Sequence, residues 1–561
     1  MKSIVLAVVA ATVVFQDLQA ILARSRQPCL SLGEQLDALT RCFLCQPITP
    51  ASTLEFENGL RLLLDECGRL VLQAVFNHIE PETPQDAPKH TRRDGQDYCR
   101  KNEKSPTRSG VATLFGCIEL RRCLYEPLQE GRDDGQRSFA PLELCLGLVA
   151  NNATPALAAR VGRLSSQHTQ QQLLDLLQSD HHVCWSTKVL RQVAAAVSAG
   201  IAPYLREVQK QRLLQWLAQA QTSHGRHRPT LSVGRDGIML PIRHEPKYKE
   251  GGVATLSVLD RRGRRVGTIY LGQMPEAGQL TLSRELTALL DGVLAGWDGP
   301  LPRLVYVTDA GYHQTTYFEE VLRQMENPRR AGERLQWLWI VDFYHAAHYV
   351  SKLANLLFDD EKTRQAWARR LRQVLRDQER GVFRVLASAA QYHGKTVLNK
   401  KEEKAYQEAY NYLLKHGNEM HYSKYKRAGL PLGSGITEAG CKVVFTQRFK
   451  ESGMSWSLEG GEVILRLRLA ELAVVKNAAP PPYPDRLYTN VLPPVLQKVA
   501  EHAPAILSWL DRCADLGLTP DEVAAISMKP AAAISGFGAA ATHPQLLAQL
   551  PCQQWLTPDA L

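Results

Sequence analysis

Three acidic residues carry the first suggestion of chemistry: Asp236, Asp309 and Glu438, separated by 309 − 236 = 73 and 438 − 309 = 129 residues. Asp236 follows the short apolar run Leu231-Ser-Val-Gly-Arg, and Asp309 follows Leu304-Val-Tyr-Val-Thr, a run of the buried-strand type. Glu438 falls in the first turn of a helix expected from residue 437 to about residue 450. Carboxylates brought together repel one another unless a cation lies among them. Hard oxygen donors suit Mg²⁺, and two such ions about 4 Å apart can activate a water and relieve a leaving oxygen in phosphodiester cleavage. A lone aspartate at a strand end is more often a cap or turn residue. Three acids in this order, each in its own element, make the set informative.

The elements that must position them follow from hydrophobic periodicity. Residues 231–236 and 253–260 read as strands, Arg261-Arg-Gly263 as a turn and 266–271 as a third strand, so the latter two form a hairpin. A helix at 283–295, a strand at 304–308, a helix at 317–325 and a strand at 335–341 ending in Asp342 come next, with a helix from His345 onward. Three strands with a hairpin, then helix, strand, helix, strand, helix, is the order of an α/β RNase H-like catalytic domain with a mixed sheet and crossover helices. Residues 361–380 and 399–416 are charged and helical, an all-helical insertion into that rhythm. The expected division is a helical N-terminal region at 1–108 and a short β segment at 109–140. A largely helical, DNA-binding region follows at 141–225, then the first part of the catalytic core at 226–354. The helical insertion is 355–430, the last core helix with Glu438 is in 431–475, and 476–561 is a proline-rich linker and tail.

Taken together, several stretches resemble a known family: Asp236-Gly237, Val307-Thr-Asp309-Ala-Gly, Val341-Asp342-Phe-Tyr-His345-Ala and Gly433-Ser-Gly-Ile-Thr-Glu438-Ala. A further stretch reads Arg448-Phe-Lys450-Glu-Ser-Gly-Met454-Ser-Trp456-Ser. They look like bacterial insertion-sequence DDE transposases, most of all the ISKra-type group related to the Mutator-like transposases. The resemblance spans roughly residues 105–475 and includes Thr113-Leu-Phe-Gly116 and Pro141-Leu-Glu-Leu144. It implies that Asp236, Asp309 and Glu438 bind two Mg²⁺ or Mn²⁺ ions per active site. It also implies that the N-terminal helices bind terminal inverted repeats, and that a freed 3′-hydroxyl is joined to target DNA. Holding two element ends implies a homodimer or larger assembly, acting in the cytoplasm at the nucleoid. The sequence departs from the family at Cys117 and Cys123, which lack partner cysteines at the spacing of a metal ribbon.

Other residues carry open alternatives. Asp342 and His345 match an Asp-x-x-His element of such transposases; Asp342 could be a fourth metal ligand or an orienter of His345, and His345 could equally satisfy a polar network. Two ligands are too few for zinc. Lys442, Arg448 and Lys450 are candidate phosphate contacts, although Lys442 could instead pair with Glu438 one turn away. Trp456 could stack on a base or belong to the core. Upstream, 153–161, 170–177 and 186–195 are spaced like a helix-turn-helix array, with Ser186 or Thr187 as a cap and Ser186, Lys188 and Arg191 placed to contact DNA.

Bulk properties set the outer bounds. A net charge of +10 over 561 residues permits a polyanionic partner, and suits an ordinary solvated surface as well. Met1-Lys2, the apolar run 4–15 and Leu18-Gln19-Ala20 imitate a signal peptide, but the run continues as an amphipathic helix. It is also shorter than the roughly 20 residues a membrane span needs. No membrane association is therefore expected. The 12 cysteines contain one C-x-x-C pair, Cys42 and Cys45, so reduced thiols are expected rather than a zinc ribbon. The competing readings are a catalytically silent or domesticated DNA-binding protein, an RNase H-like nuclease that stops at hydrolysis, and a secreted cysteine-rich protein.

Overall fold

The computed structural model describes residues 28–93, 96–128, 138–150, 153–451 and 453–475. The signal-like opening residues and the proline-rich segment from 476 onward lie outside the described residues. Two compact units divide the chain. Among the described residues, the first holds those up to Leu164 together with Gln170–Gly200, and the second holds Ser165–Thr169 and everything from Ile201. Among the described residues, no helix is long and apolar enough to cross a membrane.

In the first unit, helices α1 (Pro28–Leu44) and α2 (Pro50–Ile79) pack with Phe43 stacked on Phe56 at 4.5 Å. Thr49 and Ser52 cap α2 reciprocally, satisfying backbone donors that the first turn leaves open. The N-terminal region 1–108 is expected to be helical, yet β1 (His90–Arg93), β2 (Gln96–Arg100) and β3 (Ser105–Pro106) form within it. Strand β2 is paired along both edges, and its Tyr98 is buried with Cys123 and Tyr125 in a small cluster, so long-range pairing and burial that a polar stretch does not announce supply the order. Strands β4 (Val111–Thr113), β5 (Gly116–Ile118), β6 (Arg121–Arg122) and β7 (Tyr125–Pro127) complete three small sheets, ordered β1-β2-β7, β3-β6 and β4-β5. Val111, Ile118, Leu120 and Leu142 form a local core.

Helices α3 (Pro141–Cys145), α4 (Pro155–Ser165), α5 (Gln170–His181) and α6 (Thr187–Thr222) follow. Ser186 accepts a hydrogen bond from the Val189 N–H at 3.4 Å, the cap its position suggests. Helix α6 does not stop near residue 195; it runs 36 residues through Pro203. One internal proline removes a single ladder hydrogen bond, which this leucine- and alanine-rich helix tolerates.

The second unit is built on a five-stranded sheet of β8 (Thr230–Leu240), β9 (Lys249–Leu259), β10 (Arg265–Gln273), β11 (Arg303–Thr308) and β12 (Trp337–Val341). Its order is β10-β9-β8-β11-β12. The first three strands are antiparallel, and β11 runs parallel to both β8 and β12. Asp260 holds the β9–β10 turn by accepting from the Arg262 and Arg264 N–H groups at 2.8 Å each. Gly263 takes φ +81° there, with no room for a Cβ beside the Gly429 carbonyl.

Helix α7 (Leu280–Gly296) covers one face through Leu282, Leu286, Leu289, Leu290, Val293 and Leu294, all buried at helical spacing. Helix α8 (Tyr312–Glu320) lies between β11 and β12 in sequence, and α9 (Phe343–Leu357) follows β12. Residues 355–430 then contain helices and no strand: α10 (Glu361–Asp377), α11 (Gly381–His393), α12 (Lys400–Lys415) and the short α13 (Tyr422–Arg427). Trp367, Leu371, Leu375, Val385 and Leu413 join these helices to the core of the sheet.

Candidate active site

In the parallel ladder, Arg303 pairs with Thr230 and Val307 with Gly234, an offset of 307 − 234 = 73, the same as 309 − 236. On the other side, Thr308 pairs with Val341, an offset of 341 − 308 = 33, the same as 342 − 309. Asp236, Asp309 and Asp342 thus stand at one level across three neighbouring strands, just past the last parallel pairs. The alternation of a strand puts residues in register on one face.

Asp236 was expected to end its strand. It does not: β8 continues to Leu240 because antiparallel β9 goes on pairing it, up to Leu240 with Lys249. Only the parallel partner stops, leaving one edge of the Asp236 backbone beyond the ladder.

The face carrying Asp236 is crossed by α14 (Gly435–Cys441). Close approach depends on Gly234, where a Cβ would come within 2.0 Å of Thr437 Oγ1. The contact is fixed by a hydrogen bond of 2.9 Å between the hydroxyls of Thr437 and Thr255. This docking brings Glu438 to a cleft of about 260 Å³ that is also lined by Asp236, Asp309, His345 and Ser434. Glu438 is exposed, whereas Asp236 and Asp309 are half-buried.

Each acid has distinct local partners. Asp236 Oδ1 accepts from the Gly237 N–H at 2.7 Å, and Oδ2 accepts from the Cys441 thiol at 3.5 Å. Burial raises the Asp236 carboxyl above its ordinary range, and the charges of Asp309 and Glu438 raise it further, against those two hydrogen bonds. Asp309 Oδ1 accepts from the Gly311 N–H at 3.0 Å, and its carbonyl takes the Tyr412 hydroxyl at 2.7 Å. Ala310 between them adopts φ +62°, a left-handed conformation that costs a non-glycine residue on the order of 1 kcal/mol. Among the described residues, none of Asp236, Asp309, Asp342 or Glu438 pairs with a basic side chain.

Asp342 is 1% exposed and caps α9: Oδ1 accepts from the His345 N–H at 2.8 Å. Oδ2 accepts from the Ser434 N–H and from Ser434 Oγ, which also reaches Glu438 Oε1 at 3.3 Å. Asp342 therefore ties β12, α9 and the loop before α14 together. It orients His345 through the backbone, and the His345 ring lies edge-on to Tyr349 and Tyr412. Arg235 lines the cleft but points its guanidinium to the opposite face, 4.6 Å over the Tyr317 ring, donating to Ser283 Oγ and Gln279 Oε1. The signal for Arg235 is absent from the sequence, since nothing there marks a cation 2% exposed and without an acidic partner.

Downstream of α14 the helix widens into a π turn at Lys442–Thr446 before α15 (Gln447–Phe449). Lys442 is exposed and forms no ion pair with Glu438, although its N–H keeps the α-helical bond to the Glu438 carbonyl. Lys450 is exposed too. Arg448 corrects the expectation of a DNA contact. It is 1% exposed, donates from Nε to the Ser165 carbonyl at 3.1 Å and lies 5.0 Å over the Trp456 ring. A guanidinium so enclosed is spent on internal acceptors. Trp456 is half-buried, packs on Phe449 and donates to the Phe449 carbonyl at 3.0 Å. In the first unit, Ser186, Lys188 and Arg191 are exposed, with Arg191 donating to Gln170 Oε1 at 2.9 Å.

As to metals, the acids are hard oxygen donors without basic partners, a set that fits Mg²⁺ or Mn²⁺. Among the described residues, however, no three His, Cys, Asp or Glu side chains stand close enough to enclose one ion as they are. The nine cysteines whose side chains are described are free thiols, including Cys42 and Cys45. Compared with known proteins, the chain matches no protein-family model and no curated protein sequence.

Proposed function

We propose that this protein is a DDE transposase with an RNase H-like catalytic domain, which cleaves DNA at the ends of an insertion sequence and joins the 3′-hydroxyl to target DNA. One observation carries the reading: three strand-level aspartates in register, with Glu438 delivered to the same cleft by a helix crossing the sheet. Asp236, Asp309 and Glu438 would hold two divalent ions, which when bound supply Lewis acidity for phosphodiester chemistry. The residues of the chain supply the rest. Asp342 and Ser434 lock the loop that presents Glu438, and burial, with the charges of Asp309 and Glu438 added to it, raises the Asp236 carboxyl, a setting that a bound cation relieves. The positive net charge suits a polyanionic partner, with terminal inverted repeats engaged through Ser186, Lys188 and Arg191 and strand contacts through Lys442 and Lys450. Two element ends call for a homo-oligomer, acting in the cytoplasm at the nucleoid.

A second reading, a DNA-binding protein that no longer cuts, draws on one observation: the acids do not yet enclose an ion. The two separate in a cleavage and strand-transfer assay on the element's own ends with Mg²⁺. The transposase reading expects both products from the unmodified chain and neither from Asp309→Asn, with end binding kept. Full activity in Asp309→Asn, or none in the unmodified chain, removes it.

A further inference from the structure

The acidic cleft shares Tyr344 and His348 with a second, larger cleft of about 730 Å³ between α9 and α10. Its far wall is made by Gln365, Arg369, Arg372 and Arg376, at steps of four, three and four residues, which is one face of α10. No aspartate or glutamate lines it. Among the described residues Arg369 meets no carboxylate, and Arg372 spends one donor on the Ala368 carbonyl at 3.2 Å. Arg376 is held by Asp377 at 2.9 Å, and Asp377 is shared with Lys426 at 3.1 Å. On the near wall Tyr344 is 72% exposed, a large ring in solvent braced edge-on against Phe343.

These features match one kind of ligand. A helix rises about 1.5 Å per residue, so the three arginines cover roughly 10 Å, enough for two or three phosphates of an extended strand. In a duplex the bases stay stacked on one another, so only an unpaired strand can offer one to Tyr344. A basic wall facing an exposed aromatic is the arrangement that holds unpaired nucleic acid, phosphates on one side and a stacked base on the other. We propose that this cleft binds an unpaired DNA strand, its phosphates on Arg369, Arg372 and Arg376 and a base on Tyr344, and leads it to the carboxylates. The destination of the strand rests on the transposase reading; the binding does not.

The test uses the full chain in EDTA and a fluorescein-labelled oligothymidylate of about twelve nucleotides, with affinity followed by anisotropy from about 50 to 200 mM salt. Arg369→Gln with Arg372→Gln is expected to weaken binding roughly tenfold and to flatten the plot of log affinity against log salt by about 1.4, at about 0.7 per phosphate lost. Tyr344→Ala is expected to weaken binding about fivefold or more with the slope unchanged, since stacking is not ionic. The proposal is overturned if the double variant, with unaltered thermal unfolding, keeps both affinity and slope. It is equally overturned if a duplex of the same length loses as much as the single strand. Loss of strand binding as expected, in a protein that makes no cleavage product with Mg²⁺, would uphold the cleft and sink the cutting function alone.

Discussion

The Cys441 thiol lies 3.5 Å from Oδ2 of Asp236, a hydrogen bond that spans 205 residues of chain. It joins the helix that carries Glu438 to the strand that carries the first aspartate. Burial pushes the thiol well above its usual range, and the nearby charges of Asp236 and Glu438 push it further. Cys441 therefore stays protonated and serves Asp236 as a donor rather than adding a fourth negative charge.

Removing the charge from Asp236 should stabilise the fold. Its carboxyl is raised in the folded state, mainly by burial and then by Asp309 and Glu438, so ionisation opposes folding. The cost is absent at low pH, grows as pH rises through the unfolded pKa and is complete above the folded one. At neutral pH without divalent ions, Asp236→Asn should gain on the order of 1 kcal/mol in urea unfolding while losing cleavage. A variant less stable than the parent would contradict this account of the cleft.

Divalent ions should relieve the part of that cost that Asp309 and Glu438 add. With Mg²⁺ at about ten times its dissociation constant, linkage predicts roughly 1.4 kcal/mol of added stability. Thermal unfolding should therefore rise with Mg²⁺ in the unmodified protein and stay put in Asp309→Asn. Equal shifts in both proteins would mean that the ion binds elsewhere.

Arg448 and Lys450, two residues apart, should behave oppositely. Arg448→Ala leaves the Ser165 carbonyl without its donor inside the fold and should cost about 1–3 kcal/mol. Exposed Lys450→Ala should change stability by less than about 0.5 kcal/mol. If Lys450 contacts a phosphate, its loss should lower the salt slope of DNA binding by about 1. The salt slope of a folded Arg448→Lys protein should match that of the parent.

His416 gives the fold an acid-sensitive element. Burial, and then Lys415, lower its pKa to about 4 from an ordinary value near 6.5. The unfolded chain binds the proton more readily, so stability falls as pH drops from about 6.5 towards 4. His416→Gln should flatten that part of the curve, read as the difference from the parent in urea unfolding at each pH. Parallel curves would show that His416 is not the responsible group.

What the sequence made legible was mostly what continuous burial writes into it. Strand β11 and the turn at 261–263 are marked by a valine-rich run and by Asp260 with Gly263, and they lie where those signals fall. The candidate acids were legible because each follows an apolar strand or opens a helix. The rest depended on partners far along the chain. Nothing near Arg448 indicates that Ser165, 283 residues earlier, will take its guanidinium. Nothing near Asp236 indicates that β9 will hold β8 in strand for four more residues. Asp342 left its role open because a helix cap and a metal ligand are the same side chain at the same place, and only the positions of Ser434 and the His345 N–H separate them.

The widened turn at Lys442–Thr446 has an effect on the whole helix that contains it. One surplus residue per turn rotates everything downstream by about 100° relative to an uninterrupted α-helix. The segment bearing Glu438 can thus look toward the cleft while Phe449 keeps its seat between Phe445 and Trp456. Shortened by a single residue there, the same stretch would have to give up one of its two attachments, so this small irregularity acts as a swivel that lets one rod serve two neighbours.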